Sequence, residues 1–323
     1  MIIRKICMLG GSGFVGRTLA NQLYAAGYQV KILTRHREPN RNNLIVLPEL
    51  DLVETDIHDQ NSLNRHFRDC DAVINLVGIL NERGRNGAGF RHAHIELVEK
   101  IILACHENGI SRILQMSALN ADAENGPSHY LRSKGEAEKL LFAEEGLQVS
   151  CYRPSVIFGS SDDFFNRFAQ LLKMTPLIFP LACPHSRFAP VFVEDVAATF
   201  VRTLTDPHSY GKSYCLCGPL SYSLEELVKY TATCLNIKRH ILPLTNSLSR
   251  LQAAVFDFVP GKPFSTDNYL STRVDSVCMS NDLAKLGITA RALEGVVPEY
   301  LANRKQRAHY HEYRQQSRRS SGM

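Results

Sequence analysis

Ser117, Tyr130 and Lys134 are the side chains of this sequence whose types and order could carry a reaction. Tyr130 and Lys134 are four residues apart, so a helix would place them on one face, a turn from each other. A phenol with an ordinary pKa of about 10 exchanges protons poorly at neutral pH. An ammonium beside it favours the ionised form and makes the hydroxyl a usable acid and base. Ser117, thirteen residues earlier at the end of an apolar run, offers a hydroxyl that can hold a substrate oxygen beside the phenol. Such a set supports hydride transfer to or from a nicotinamide, with Tyr130 moving the proton on the same oxygen.

A nicotinamide requires a nucleotide site, and the opening of the chain has the pattern of one. The apolar run Ile2 to Leu9 meets Gly10, Gly13 and Gly16 at spacings of three and three, then continues as Arg17-Thr18-Leu19-Ala20. This reads as strand, tight turn and helix. The glycines let the backbone approach a pyrophosphate, and the free amides around Phe14, Val15 and Gly16, with the positive end of the helix dipole, attract its charge. The next strand, Tyr28 to Thr34, ends at Arg35-His36-Arg37. An acid at that end would bind both ribose hydroxyls and favour NAD. Arg35 stands there instead and, with Arg37, can fork onto a 2′-phosphate, so NADP(H) is favoured and NAD(H) is the alternative.

These residues need a scaffold that brings strand ends together. Leu44 to Leu47 forms a short apolar segment, and Leu52 to Ile57 reads as a third strand. Its end would set Asp56 to accept from an adenine amino group and Ile57 to pack on the ring. Asp71 to Gly78 is a nearly continuous apolar strand, buried on both faces, with Val77 and Gly78 at its carboxyl end. A helical stripe follows at Ile95, Val98, Ile101, Ile102 and Cys105, read as core. The fifth strand, Ser111 to Ser117, delivers the serine, and a helix from near Pro127 towards Gly146 carries Tyr130 and Lys134. Val149 to Arg153 is a sixth strand, after which Pro154 turns the chain over the nicotinamide. The alternation predicts an α/β, Rossmann-type doubly wound parallel sheet with a smaller mixed C-terminal substrate subdomain.

The expected division is a nucleotide-binding domain over 1–155, its sheet completed by parts of 185–220, and a discontinuous substrate or partner subdomain over 156–305. A helix is expected over Asp162 to Leu172. Met174 to Pro184, apolar and broken by three prolines, is no regular helix; it is a lid on an apolar substrate pocket or a loop packed on the core. Asp195 suits a helix start by its charge alone. Ser223 to Glu226 is a capping box, and Leu293 to Lys305 a final helix. The stripe Leu248, Leu251, Ala254, Val255 and Phe258 is read as core packing of the C-terminal subdomain, with a membrane or partner contact as the alternative.

With 323 residues and 44% hydrophobic content, the chain can bury one large core or a large and a smaller one. Its net charge of +5 does not indicate a nucleic-acid surface. Arg304, Lys305, Arg307, Arg314, Arg318 and Arg319 against the single acid Glu312 account for all of it, in a polar tail expected to be disordered over 306–323. Nine cysteines without paired CxxC spacing suggest thiols in a reducing cytoplasm. No ligand spacing points to a metal, and no apolar run is long enough to cross a bilayer.

In Gly10-x-x-Gly13-x-x-Gly16, Asp56-Ile57, Asn75 to Gly78, Ser117, Tyr130-x-x-x-Lys134 and Arg153 to Gly159, the chain resembles the short-chain dehydrogenase/reductase superfamily, in its extended and atypical branches. Val73 to Leu80, Arg153 to Phe165 and Phe188 to Ala197 resemble more closely the bacterial relatives of the large NADPH-binding accessory subunit of mitochondrial complex I, themselves epimerase/dehydratase-like. The resemblance spans roughly the whole chain and implies a nicotinamide nucleotide without naming a small-molecule substrate. Typical extended members hold the serine about twice as far before the tyrosine and often an acid where Arg35 stands. Two functions follow from the resemblance. One is an oxidoreductase or epimerase/dehydratase-like enzyme using Tyr130, Lys134 and Ser117. The other is a non-catalytic NADPH-binding accessory or assembly protein of a respiratory or quinone-biosynthetic complex, peripheral at the inner face of the membrane.

Overall fold

A computed structural model describes residues 2–35 and 50–302. Arg37, the segment Leu44 to Leu47, the end of the expected final helix and the basic tail lie outside the described residues.

The first 155 residues alternate strand and helix. β1 (Lys5–Leu9), α1 (Phe14–Ala25), β2 (Gln29–Thr34), β3 (Leu50–Glu54), α2 (Gln60–Phe67) and β4 (Ala72–Asn75) come first. After β4, a short turn of helix and a π-helical segment, Arg91–Glu96, lead into α3 (Leu97–Glu107), where a continuous helix is expected from sequence. β5 (Arg112–Met116), α4 (His129–Ala143) and β6 (Gln148–Pro154) follow. The C-terminal half adds β7 (Ile157–Phe158), α5 (Phe164–Met174), β8 (Ile178–Leu181), β9 (Arg187–Phe188), β10 (Val191–Phe192), α6 (Val193–Thr203) and β11 (Lys212–Leu216). It ends with β12 (Tyr222–Ser223), α7 (Leu224–Cys234), β13 (His240–Pro243), α8 (Asn246–Phe256), α9 (Thr266–Ser271), α10 (Asp282–Lys285) and α11 (Val297–Ala302).

Seven parallel strands form the central sheet in the order β3-β2-β1-β4-β5-β6-β11. The order reverses between β1 and β4, which makes their carboxyl ends the natural crevice for a ligand. On one face, Leu19, Ala20 and Leu23 of α1 pack with Val196, Ala197 and Phe200 of α6. On the other, Leu63 and Phe67 of α2, Leu97, Val98 and Ile101 of α3, and Ala137 and Leu141 of α4 close over the strands. Burial on both faces is why β1, β4 and β5 are apolar along their length. β11, from residues 212–216, is the seventh strand and pairs with β6.

A third core, built on Phe158, Phe165, Leu172, Phe179, Leu227 and Val297, lies among the C-terminal elements. Phe179 and Leu181 belong to β8, which pairs in parallel with β13. The proline-broken Met174 to Pro184 segment thus contains a short strand packed on that core, and it does not line the cavity described below. Asp195 receives the Arg291 amide at 2.8 Å and faces the Arg291 guanidinium, a structural use that fits its place in the first turn of α6. The capping box at Ser223 and Glu226 forms in both directions.

Two expectations are corrected. Cys217 and Cys278 form a disulfide, with Cα atoms 6.0 Å apart, where nine thiols were expected. Residues 276–282 run back beside the end of β11, where Asn281 donates to the Cys217 carbonyl at 2.7 Å, and this long-range return leaves no sequence spacing to read. The Leu248 to Phe258 stripe is also not core: Leu248, Leu251, Val255 and Phe258 are all exposed. The inward positions of α8 are Ser249 and Ala253.

Candidate functional site

The glycine turn folds as its spacing predicts. Gly10 has φ +74°, and a side chain there would sit 3.1 Å from the Leu76 and Val77 backbone, so the turn can lie against β4 only as glycine. The Gly13 amide donates to the Gly10 carbonyl at 3.1 Å. Gly13 is also the N-cap of α1 and supplies no side-chain cap, and the first turn of α1 holds no acid. No carboxylate therefore competes for the amides at the start of the helix, around Phe14, Val15 and Gly16. Gly16 packs against Gly11, closing helix onto turn. Ser12 and Thr34 share a hydrogen bond of 3.2 Å that fastens the turn to β2, and Arg35 follows Thr34, exposed.

The first turn of α4 is held by groups from two directions. Ser128 accepts from the Leu131 amide at 3.1 Å as N-cap. Asp267 on α9 accepts from the His129 and Tyr130 amides at 2.7 and 3.2 Å. Further along the helix, the buried carboxylate of Glu138 takes a two-pronged contact from Arg153 of β6, with Nε at 2.9 and 3.1 Å from its oxygens. Such a fork fixes both distance and rotation of the helix against the strand. Asp267→Ala removes two of the capping bonds and is expected to lower the unfolding free energy by about 1 kcal/mol, measured by urea denaturation.

That frame sets Lys134 between the two central strand ends. Its ammonium is buried and donates to the carbonyls of Val77 and Met116, each at 3.1 Å. A methyl group at Gly78 would lie 3.2 Å from Lys134 Nζ, so glycine leaves the room the ammonium occupies. Burial brings Lys134 down to about 8, opposed by the Glu138 carboxylate. Ser117 follows Met116; its amide donates to Tyr152 O at 2.7 Å, while its buried hydroxyl has no hydrogen-bond partner among the described residues. Pro154 ends β6, and its carbonyl accepts the Leu119 amide at 3.0 Å, tying the segment after Ser117 to that strand.

The half-buried ring of Tyr130 meets Phe90 and His94 edge-on, with centroids 6.1 and 5.8 Å away. Burial raises the phenol to about 12, and the Asp267 charge adds to this. Lys134, whose ammonium is taken by the Val77 and Met116 carbonyls, does not lower the phenol as expected. His94 is fixed as a neutral ring. Its Nε2 accepts the Ile79 amide at 3.2 Å, so Nδ1 carries the hydrogen and donates to Ser133 Oγ at 2.8 Å. Ser133 passes the chain on to the Tyr130 carbonyl at 2.9 Å. Burial pushes the His94 imidazole down to about 2, consistent with that neutral form.

Asp56 and Ile57 stand apart from this cluster. Asp56 is exposed and its carboxylate accepts the His58 amide at 2.9 Å, while Ile57 packs in the core with Leu9 and Leu33. Sequence reasoning missed Asp267, which lies 137 residues from Tyr130, and missed His94, which sits inside an apolar helical stripe. A cavity of about 330 Å³ opens at the start of α4, bordered by Glu82, Phe90, His129, Lys262, Thr266 and Asp267. Charged and polar side chains outnumber apolar ones around it, although the surface they present to the cavity is mainly apolar. Among the described residues no group of three His, Cys, Asp or Glu side chains is placed to hold a metal ion. No helix among them is long and apolar enough to cross a membrane.

Comparison with known proteins places this geometry. Residues 10–163 match a family described as NAD(P)H-binding. The mitochondrial NADH dehydrogenase (ubiquinone) 1 alpha subcomplex subunit 9 of Mus musculus is 30% identical over 297 residues, covering 89% of this chain and 77% of that protein. The Arabidopsis thaliana protein of the same name is 28% identical over 310 residues, covering 91% and 76%. Among solved structures, a dTDP-glucose 4,6-dehydratase from Streptomyces venezuelae with NAD bound superposes with a TM-score of 0.72 at 18% identity, covering 94% of this chain and 98% of that one.

Proposed function

Because the chain belongs to the NAD(P)-binding family that includes subunit 9 of the NADH dehydrogenase (ubiquinone) 1 alpha subcomplex, we propose that it is an oxidoreductase or epimerase/dehydratase-like enzyme of the short-chain dehydrogenase/reductase type. The observation that carries this reading is the position of Lys134, bonded to the ends of β4 and β5, beside the unpartnered Ser117 hydroxyl and one helical turn from Tyr130.

The residues present fit a dinucleotide: the turn at Gly10 and Gly16 admits no side chain, and the uncapped start of α1 holds no acid. Gly10, Gly13, Phe14, Val15 and Gly16 would hold the pyrophosphate, and Arg35 a 2′-phosphate, which favours NADP(H) over NAD(H). Asp56 and Ile57 would border the adenine. Val77, Gly78 and Pro154 would flank the nicotinamide end, with Lys134 reaching the ribose hydroxyls. When bound, the nicotinamide supplies or accepts a hydride. Ser117 holds the substrate oxygen, Tyr130 gives it a proton or takes one from it, and Lys134 supports the phenolate.

Two measurements test the nucleotide half of this reading. Arg35→Asp is expected to lower the preference for NADPH over NADH about tenfold, the loss of one charge-assisted pair, in fluorescence titrations. An unchanged ratio would remove Arg35 from the site. In the wild type, NADPH affinity is expected to weaken as pH rises through about 8, because Lys134 in the free protein loses its charge there.

The family favours a second reading, a non-catalytic NADPH-binding accessory or assembly protein of a respiratory or quinone-biosynthetic complex. In that case Tyr130→Phe leaves the cellular role intact, and the protein purifies from membranes with a large complex.

A further inference from the structure

α8 is folded inside out. Ser249 and Ala253, small and 1% and 0% exposed, face the protein, whereas Leu248, Leu251, Val255 and Phe258 are 49, 60, 54 and 76% exposed. Spacings of three and four put Leu248, Leu251 and Val255 on one helical face, and Phe258 follows two residues past the helix end. Val259 extends the patch beyond the helix, and Leu242 on β13 is exposed just before it. Scattered exposed apolar residues need no explanation, but a row of large ones along a helix whose small residues face inward marks a surface awaiting a partner.

Two arginines flank this face. Arg250 is exposed on the same helix, about 100° round from Leu251. Arg85 lays its guanidinium over the Phe258 ring, 3.7 Å from the centroid. The one acid from Pro243 to Pro260 is Asp257, whose carboxylate is taken by the Thr266 amide at 3.1 Å and the Thr266 hydroxyl at 2.6 Å. Apolar side chains interleaved with arginines match the boundary of an anionic bilayer, where chains receive the leucines and headgroups the guanidinium ions. A second copy docked by the same face through a twofold axis would set Arg85 and Arg250 among their own images.

We infer that the exposed face of α8, with Arg85 and Arg250, seats this protein on an anionic lipid surface. The same face borders the cavity: Ala254 of α8 and Arg85 both line it, alongside His129 and Asp267 at the start of the Tyr130 helix. Docking there brings the cavity mouth to the lipid boundary, so a membrane-borne amphiphile can present a polar head to Glu82, Lys262 and Asp267 while its apolar part stays in the bilayer. The docking surface stands whether or not Tyr130 turns over a substrate.

Vesicle co-sedimentation of the full chain tests it, using phosphatidylcholine vesicles with and without phosphatidylglycerol. The wild type is expected to sediment with the anionic vesicles. Leu251→Glu should weaken that binding at least about tenfold through the lost apolar burial, and Arg250→Gln about fivefold. NADPH affinity and the thermal midpoint serve as folding controls and should not move, since both side chains are exposed. Wild-type protein that stays in the supernatant with both vesicle types overturns the inference. So does sedimentation that Leu251→Glu leaves unchanged, which would assign binding to the basic tail. A dimer or protein complex dissolved by Leu251→Glu in the absence of vesicle binding assigns the face to a protein and overturns it equally.

Discussion

Tyr130→Phe is expected to lower hydride transfer by about 10²–10⁴-fold, the range for losing a positioned proton donor, while NADPH affinity stays within about twofold. The readout is loss of reduced-nicotinamide absorbance with whichever carbonyl compound the wild type reduces, set beside a nucleotide titration of both proteins. The separation of effects follows from the site. The phenol sits edge-on to Phe90 and His94, whereas the proposed function assigns the nucleotide to the glycine turn, the β4 end and Lys134. Removing one hydroxyl keeps the ring and its packing. The phenol is raised to about 12, so at neutral pH it carries its proton and begins as an acid, suited to reduction of a carbonyl. A Phe variant that reduces the same compound at the wild-type rate would remove Tyr130 from the chemistry.

Gly16→Ala is expected to abolish nucleotide binding and to destabilise the fold by about 3 kcal/mol, the upper end for an overpacked site. An added Cβ would lie 2.4 Å from both the Gly11 Cα and its carbonyl oxygen. Both are backbone atoms, so no side chain can rotate away. Either α1 lifts from the turn or the turn moves from β4, and both displace the amides assigned above to the pyrophosphate. Urea denaturation and an NADPH titration check the two halves separately. Normal stability with unchanged binding would mean the helix and turn are less tightly joined than their contact distances indicate.

Both predictions rest on parts of the site legible in sequence, and the reason is locality. The three glycines act within seven residues, and Tyr130 and Lys134 within one helical turn, so spacing alone defines their geometry. Parallel strands buried on both faces announce themselves as apolar runs, and their order follows from the alternation with helices. The residues that tune the site are contributed from afar. Asp267 reaches the Tyr130 amide across 137 positions, and Arg153 reaches Glu138 from a neighbouring strand. His94 looks like a core residue because it is one; its hydrogen bonds to Ile79 and Ser133, not its neighbours in sequence, link it to the tyrosine helix. For α8, periodicity revealed an apolar face but not its direction. That depended on Ser249 and Ala253 fitting against the protein, which no helical repeat encodes.

The Cys217–Cys278 bond makes a covalent ring of the chain between those residues, a span of 61 positions that leaves the sheet beside β11 and returns to it. α8, with its outward leucines, and α9, with Asp267 on the first turn of the tyrosine helix, both ride on that ring. The ring's two feet share one anchorage. The bond therefore adds a covalent tie at the edge of the central sheet to the contacts through which Lys262 and Asp267 already join that segment to the residues after β4 and to the start of α4.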